Sequence, residues 1–156
     1  MTSVDVPGDL LREAVEVIGN AYAPYSGLRV AAAVRGASGR IYRGVNVENS
    51  SYGLTVCAER VAVFNAVTNG EREIVEVLIV STSRMPIPPC GACLQVLSEF
   101  AKPDTRIYSV SLPTKQARMW RLGELMPEAF RLDKALPSHR GGESNKPSSQ
   151  GGSPVL

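Results

Sequence analysis

Apolar residues change their spacing several times along this chain, and each change predicts a new element. Over residues 9–22 they fall at Leu10, Leu11, Ala14, Val15, Val17, Ile18 and Ala21. That is helical spacing with one buried face. Pro7-Gly8-Asp9 marks the start, with Asp9 as the N-cap, and Pro24 ends the helix. Residues 28–34 read as a buried strand of small and branched side chains. Gly36-Ala37-Ser38-Gly39 is a hairpin turn, and residues 40–47 form the return strand. Alternation puts Ile41, Val45 and Val47 on one side of it. Asn46 and Glu48 share the other side, two polar groups in register.

After a loop of small residues at 50–54, Thr55 can cap a helix over residues 56–69, which Gly70 stops. Its interior, with Ala58, Val61, Ala62 and Ala66, is small and apolar, so it is predicted to be central. Residues 74–80 are nearly continuous in branched apolar side chains, the mark of an inner strand covered on both faces. A rigid loop at 85–89 precedes a helix over 91–100, with Val96, Leu97 and Phe100 inward. Strands follow at 106–110 and, more weakly, 116–120. A short helical piece at 122–126 and a C-terminal helix within 127–136 complete the domain. The order α-β-β-α-β-α-β-β-α predicts an α/β fold, a three-layer α/β/α sandwich around one mixed sheet of about five strands. Residues 1–136 are read as one domain, and residues 137–156, dominated by Pro, Gly and Ser, as a disordered tail.

Composition narrows the partners. A length of 156 residues supports one domain with a real core. Net charge is +2 and scattered, with no basic stripe for nucleic acid. No apolar run is long enough to cross a membrane. Residues 1–8 lack the pattern of a secretory signal, so a cytoplasmic protein is expected. An odd count of three cysteines, two of them in a C-x-x-C pair, then favours metal or redox chemistry over a disulfide framework. The single histidine, His139, lies in the polar tail and makes a poor ligand candidate.

All three cysteines fall in two short stretches, Cys57-Ala58-Glu59-Arg60 and Pro88-Pro89-Cys90-Gly91-Ala92-Cys93. Both sit at predicted helix starts, where the backbone dipole eases thiol ionisation. Three thiolates suffice for a zinc ion and leave a fourth position open for water, whereas a closed structural site normally has four protein ligands. Glu59, two residues from the first thiolate, is placed to move protons at that position. Three thiolates give the ion an excess of negative charge, and Arg60 is the candidate to offset it by donating to sulfur. Blander readings are a thioredoxin-like redox pair, buried cysteines acting as small apolar residues, and Glu59 as a solvated surface carboxylate. Ligand-x-Glu followed by Pro-Cys-x-x-Cys is a signature already known from zinc nucleobase deaminases, a three-cysteine variant included.

Further stretches carry a closer likeness. They are Ala21-Tyr22-Ala23-Pro24-Tyr25-Ser26, Gly44-Val45-Asn46-Val47-Glu48-Asn49, Tyr52-Gly53-Leu54, Gln95-Val96-Leu97 and Glu124-Leu125-Met126-Pro127-Glu128-Ala129-Phe130. With the two cysteine stretches in the same order, the chain resembles the small zinc-dependent cytidine deaminases over about residues 10–136. The resemblance implies hydrolysis of free cytidine and 2′-deoxycytidine to the uridines and ammonia, in pyrimidine salvage. Zinc, one per subunit, would sit on Cys57, Cys90 and Cys93, and Glu59 would shuttle protons to the ring nitrogen and the leaving amine. Asn46 and Glu48 would grip the ribose 3′-hydroxyl, and the backbone at Ala58 the pyrimidine edge. Phe130 and Tyr52 would reach a neighbouring subunit's site in a homotetramer.

Two positions depart from the family pattern. Leu28 stands where the family usually has Phe against the base, and Leu94 where Arg is common after the second C-x-x-C cysteine. Neither touches a ligand or Glu59, so reaction type is better defined than substrate. A blasticidin-S-type deaminase and a catalytically silent zinc-stabilised binding module are the competing functions. The retained Asn46, Glu48 and Phe130 favour the plain nucleoside, and Glu59 speaks against the silent module.

Overall fold

A computed structural model describes residues 4–137. Helix α1 (Gly8–Val17) precedes the hairpin β1 (Val30–Gly36) and β2 (Ile41–Val45), then α2 (Ala58–Thr68) and β3 (Ile74–Ser81). Helix α3 (Gly91–Phe100), strands β4 (Arg106–Ser111) and β5 (Ala117–Arg121), and the short helices α4 (Leu122–Leu125) and α5 (Leu132–Ala135) follow. The five strands form one sheet in the order β2-β1-β3-β4-β5. Only β3 and β4 are parallel, so the sheet is mixed. The predicted three layers are present.

Strand alternation sorts the two faces. Ala31 and Ala33 of β1, Leu78 and Val80 of β3, and Tyr108 and Val110 of β4 pack under Leu10 and Ala14 of α1. The intervening Ala32, Val34, Val77, Ile79 and Ile107 pack under α2 and α3. Three consecutive alanines in the middle of β1 leave room for a helix on each side. On α2 the facing stripe is Ala58, Ala62 and Ala66, spaced four apart and each fully buried.

One glycine sets how closely α2 sits. A Cβ on Gly44 of β2 would lie 2.6 Å from the Ala58 carbonyl oxygen, 2.9 Å from the Val61 carbonyl carbon and closer still to the Ala62 nitrogen. These are backbone atoms of the first turns of α2, so strand and helix meet with nothing between them.

Several predicted boundaries move. Helix α1 starts at Gly8 behind Pro7, and Asp9 does not cap it. The Asp9 carboxylate instead pairs with Arg35 of β1 at 2.8 Å, and Arg35 also holds Glu76 of β3 at 2.8 Å. The helix ends at Val17, gives one 3-10 turn over Ile18–Asn20, and leaves Tyr22 bridged to Val47. Gly19 and Asn20 are weak helix formers, which explains the early stop. Strand β1 runs two residues later than predicted, because the segment before it turns back to meet Glu48. The β2 ladder stops at Val45, where the Asn46 side chain takes over and its Oδ1 accepts from the Val30 N–H at 2.9 Å.

Thr55 does not cap α2: its hydroxyl accepts from the Asn49 N–H at 3.2 Å, and the cap position belongs to Cys57. Val56, predicted helical, is bridged to Val47. Within 127–136 only Leu132–Ala135 is helical. Helix α3 has the predicted bounds. The expected tail from 138 onward, with His139, lies outside the described residues.

Candidate active site

Cys57 is the N-cap of α2 and Cys90 the N-cap of α3, while Cys93 lies in the first turn of α3. Neither cap side chain accepts from a backbone N–H of its helix, which leaves the sulfur atoms free for side-chain partners and for one another. Cys57 Sγ and Cys90 Sγ are 3.7 Å apart, Cys90 Sγ and Cys93 Sγ 3.5 Å, and all three lie within 4.8 Å. A tetrahedral ion with Zn–S bonds of ~2.3 Å needs sulfurs ~3.8 Å apart. The cluster has nearly that spacing. Cys93 is buried, Cys57 half-buried and Cys90 exposed, so the cluster opens on one side.

The thiols compete for protons. Cys57 is drawn down to about 5, first because the Cys93 thiol donates to it and then because the Arg60 guanidinium lies alongside, against the cost of burial. Cys93, giving up its hydrogen bond to Cys57 and itself buried, is pushed the opposite way. Three packed sulfurs that cannot all ionise together suit a soft dication that replaces the protons. Zinc fits this donor set.

Glu59 follows on the first turn of α2 and is only 5% exposed. Burial, with the neighbouring Cys57 charge, raises its carboxyl to about 7. Such a carboxyl holds or releases a proton near neutral pH. Arg60 Nη2 donates to Cys57 Sγ at 3.7 Å, and its Nε is buried with no partner among the described residues. Arg60→Gln is expected to cut zinc retention or turnover by about tenfold, since groups that hold metal ligands commonly carry that much. Chelator competition and steady-state rates check it; unchanged values would remove Arg60 from the site.

The other predicted residues divide into two groups. Asn46 is 8% exposed; its Nδ2 donates to Leu28 O at 2.8 Å, while its Oδ1 serves Val30. Glu48 accepts from the Tyr25 and Ser26 N–H groups and from the Ser26 hydroxyl. Both therefore face the segment ahead of β1. Leu28 is half-buried against the core under α2. Ala58 is fully buried at the start of α2. Tyr52, 76% exposed, stands edge-on to Tyr25 with centroids 5.9 Å apart and lines a cavity of about 410 Å³ with Tyr25, Ser26, Glu48 and Thr55.

Phe130 lies apart from this group. It is 62% exposed, and its carbonyl accepts from Gln95 Nε2 of α3 at 3.0 Å. Leu94 is 8% exposed within the core, a dry position. Tyr25, Ser26 and Thr55 were not among the expected site residues. Pro24 was legible as the end of a helix, but not the turn that follows it or the carboxylate that turn meets.

Sulfurs at the junction of two helix N-termini, beside a buried carboxyl on a three-layer sheet fold, have the arrangement of a catalytic metal centre with one side open. Similarity to known proteins names the family. Residues 7–109 match the model of the cytidine and deoxycytidylate deaminase zinc-binding region, and the chain belongs to that family. A cytidine deaminase of Halalkalibacterium halodurans is 43% identical over 121 residues, covering 78% of this chain and 91% of that one. One from Mycobacterium tuberculosis is 39% identical over 137 residues, 87% of this chain and 98% of the relative. The crystal structure of cytidine deaminase from Burkholderia pseudomallei superposes with a TM-score of 0.75 at 38% identity, over 81% of this chain and all of that one.

Proposed function

We propose that the chain deaminates free cytidine and 2′-deoxycytidine by hydrolysis, giving the uridines and ammonia, as a cytoplasmic enzyme of pyrimidine salvage. The observation that carries this reading is the buried Glu59 carboxyl beside a three-sulfur cluster, in a chain of this family. Zinc on Cys57, Cys90 and Cys93 supplies, when bound, the acidity that makes water a nucleophile at neutral pH. Glu59 takes a proton from the attacking water and passes it to the ring nitrogen N3, which makes C4 electrophilic. After water adds at C4, Glu59 carries the second proton to the 4-amino group, which leaves as ammonia. Arg60 offsets the charge of the thiolates. Asn46 and Glu48 hold the ribose 3′-hydroxyl, the backbone at Ala58 the pyrimidine edge, and Leu28 the face of the base.

Phe130 and Tyr52 complete a neighbouring subunit's site in a homotetramer. Their exposure in a single chain supports this, since large aromatics left in water are commonly interface residues. The test is zinc content per chain together with the absorbance loss of cytidine, with blasticidin S as a parallel substrate and sedimentation for the assembly. One zinc per chain, turnover of cytidine and none of blasticidin S are expected. A zinc-loaded protein inert toward cytidine would sink the reading.

A further inference from the structure

A single turn holds the Glu48 carboxylate. Gly27, at φ +72°, donates its N–H to Ala23 O at 3.0 Å and closes that turn. The N–H groups of Tyr25 and Ser26 then reach Glu48 Oε1 at 2.9 and 3.1 Å, and Ser26 Oγ reaches Oε2 at 2.5 Å. The same hydroxyl oxygen accepts from the Leu28 N–H at 3.0 Å. A hydroxyl has one proton to give, and here Glu48 takes it. These donors, the Ser26 hydroxyl first, hold the carboxyl below its ordinary value, so Glu48 is an anion. A carboxylate offers about four lone-pair positions. Both on Oε1 and one on Oε2 are used, and one on Oε2 is left. Ser26 and Glu48 line the same cavity, of about 410 Å³.

We propose that Ser26 is a positioning residue that leaves Glu48 a single accepting position, matched to a sugar hydroxyl and closed to a phosphate in its place. This rests on the reading above that Glu48 meets the ribose 3′-hydroxyl. A 3′-phosphate would bring an anion against an anion whose donors all lie on the protein side. The turn therefore selects nucleosides with a free 3′-hydroxyl over 3′-nucleotides and chain-internal residues. Ser26 needs no contact with substrate to do so.

The experiment compares cytidine with 3′-deoxycytidine on the zinc-loaded full chain and on Ser26→Ala, Ser26→Thr and Glu48→Gln. Ser26→Ala should raise KM for cytidine about tenfold, the scale of one hydrogen bond to a charged group. Its kcat should stay within about twofold, and KM for 3′-deoxycytidine should not move. Ser26→Thr, which keeps the hydroxyl, should restore KM. Equal KM rises for both substrates would mean that Ser26 only braces the loop, and no rise would mean that it is not needed; either overturns the proposal. Glu48→Gln tests the underlying reading separately. It should raise KM for cytidine and not for 3′-deoxycytidine; if it does not, the ribose assignment fails whatever Ser26 does. Should Ser26→Ala not fold, the unaltered protein still decides. Cytidine 3′-phosphate should neither react nor inhibit at concentrations where cytidine saturates, and tight binding of it would overturn the proposal.

Discussion

Glu59→Gln is expected to keep its zinc and lose about 10²- to 10⁴-fold in kcat, the usual reach of a positioned acid–base group. The side chain is buried at the start of α2, and an amide of nearly the same volume fits its place. It cannot move protons. Cysteine ligation does not pass through it, so zinc per chain should match that of the unaltered protein. KM for cytidine should change much less than kcat, because the sugar contacts proposed at Asn46 and Glu48 are untouched. Metal analysis and steady-state kinetics on the same preparation check this. Near-full turnover in the variant would end the proton-shuttle role.

The second large effect is mechanical. Gly44→Ala places a methyl group 2.6 Å from the Ala58 carbonyl oxygen and nearer still to the Ala62 nitrogen. Both are backbone atoms within a helix, and no side-chain rotation relieves the contact. Either α2 lifts from β2 or the strand bends. Overpacking of this kind costs about 1–3 kcal/mol, and backbone-on-backbone contact belongs at the upper end. Activity should fall further than stability, because the lifted turn carries Cys57 and Glu59 together. Urea unfolding and zinc content separate the two losses. A variant with unchanged midpoint and full zinc would show that α2 is not seated by this glycine.

The sequence made the chemistry legible earlier than the architecture around it. Helix α3 could be bounded correctly because Pro88-Pro89 stops the preceding chain and the apolar positions have one clear period. The central strands were equally plain, since continuous branched residues have few other uses. Boundaries failed where a distant partner outbid a local preference. Asp9 is a good cap by type, yet Arg35 takes its carboxylate. Thr55 has the right hydroxyl three residues before the helix, yet it serves Asn49. Asn46 and Glu48 were expected to share a side of the return strand, and both meet the segment ahead of β1, where the sequence showed only the proline that ends a helix. No local pattern reveals that the N–H groups of residues 25 and 26 will point at a carboxylate more than twenty positions away.

The placement of β3 ties metal retention to the integrity of the sheet. Cys90 and Cys93 are three positions apart, so their sulfurs stay near each other even in a loosened chain. Cys57 precedes β3 in the chain, and β3 pairs with β1 on one edge and β4 on the other. Its sulfur meets the other two only when those strands are paired. Ligands gathered by folding make metal affinity a part of the folding free energy. A chain whose sheet opens is left with two sulfurs for its ion and a weaker grip.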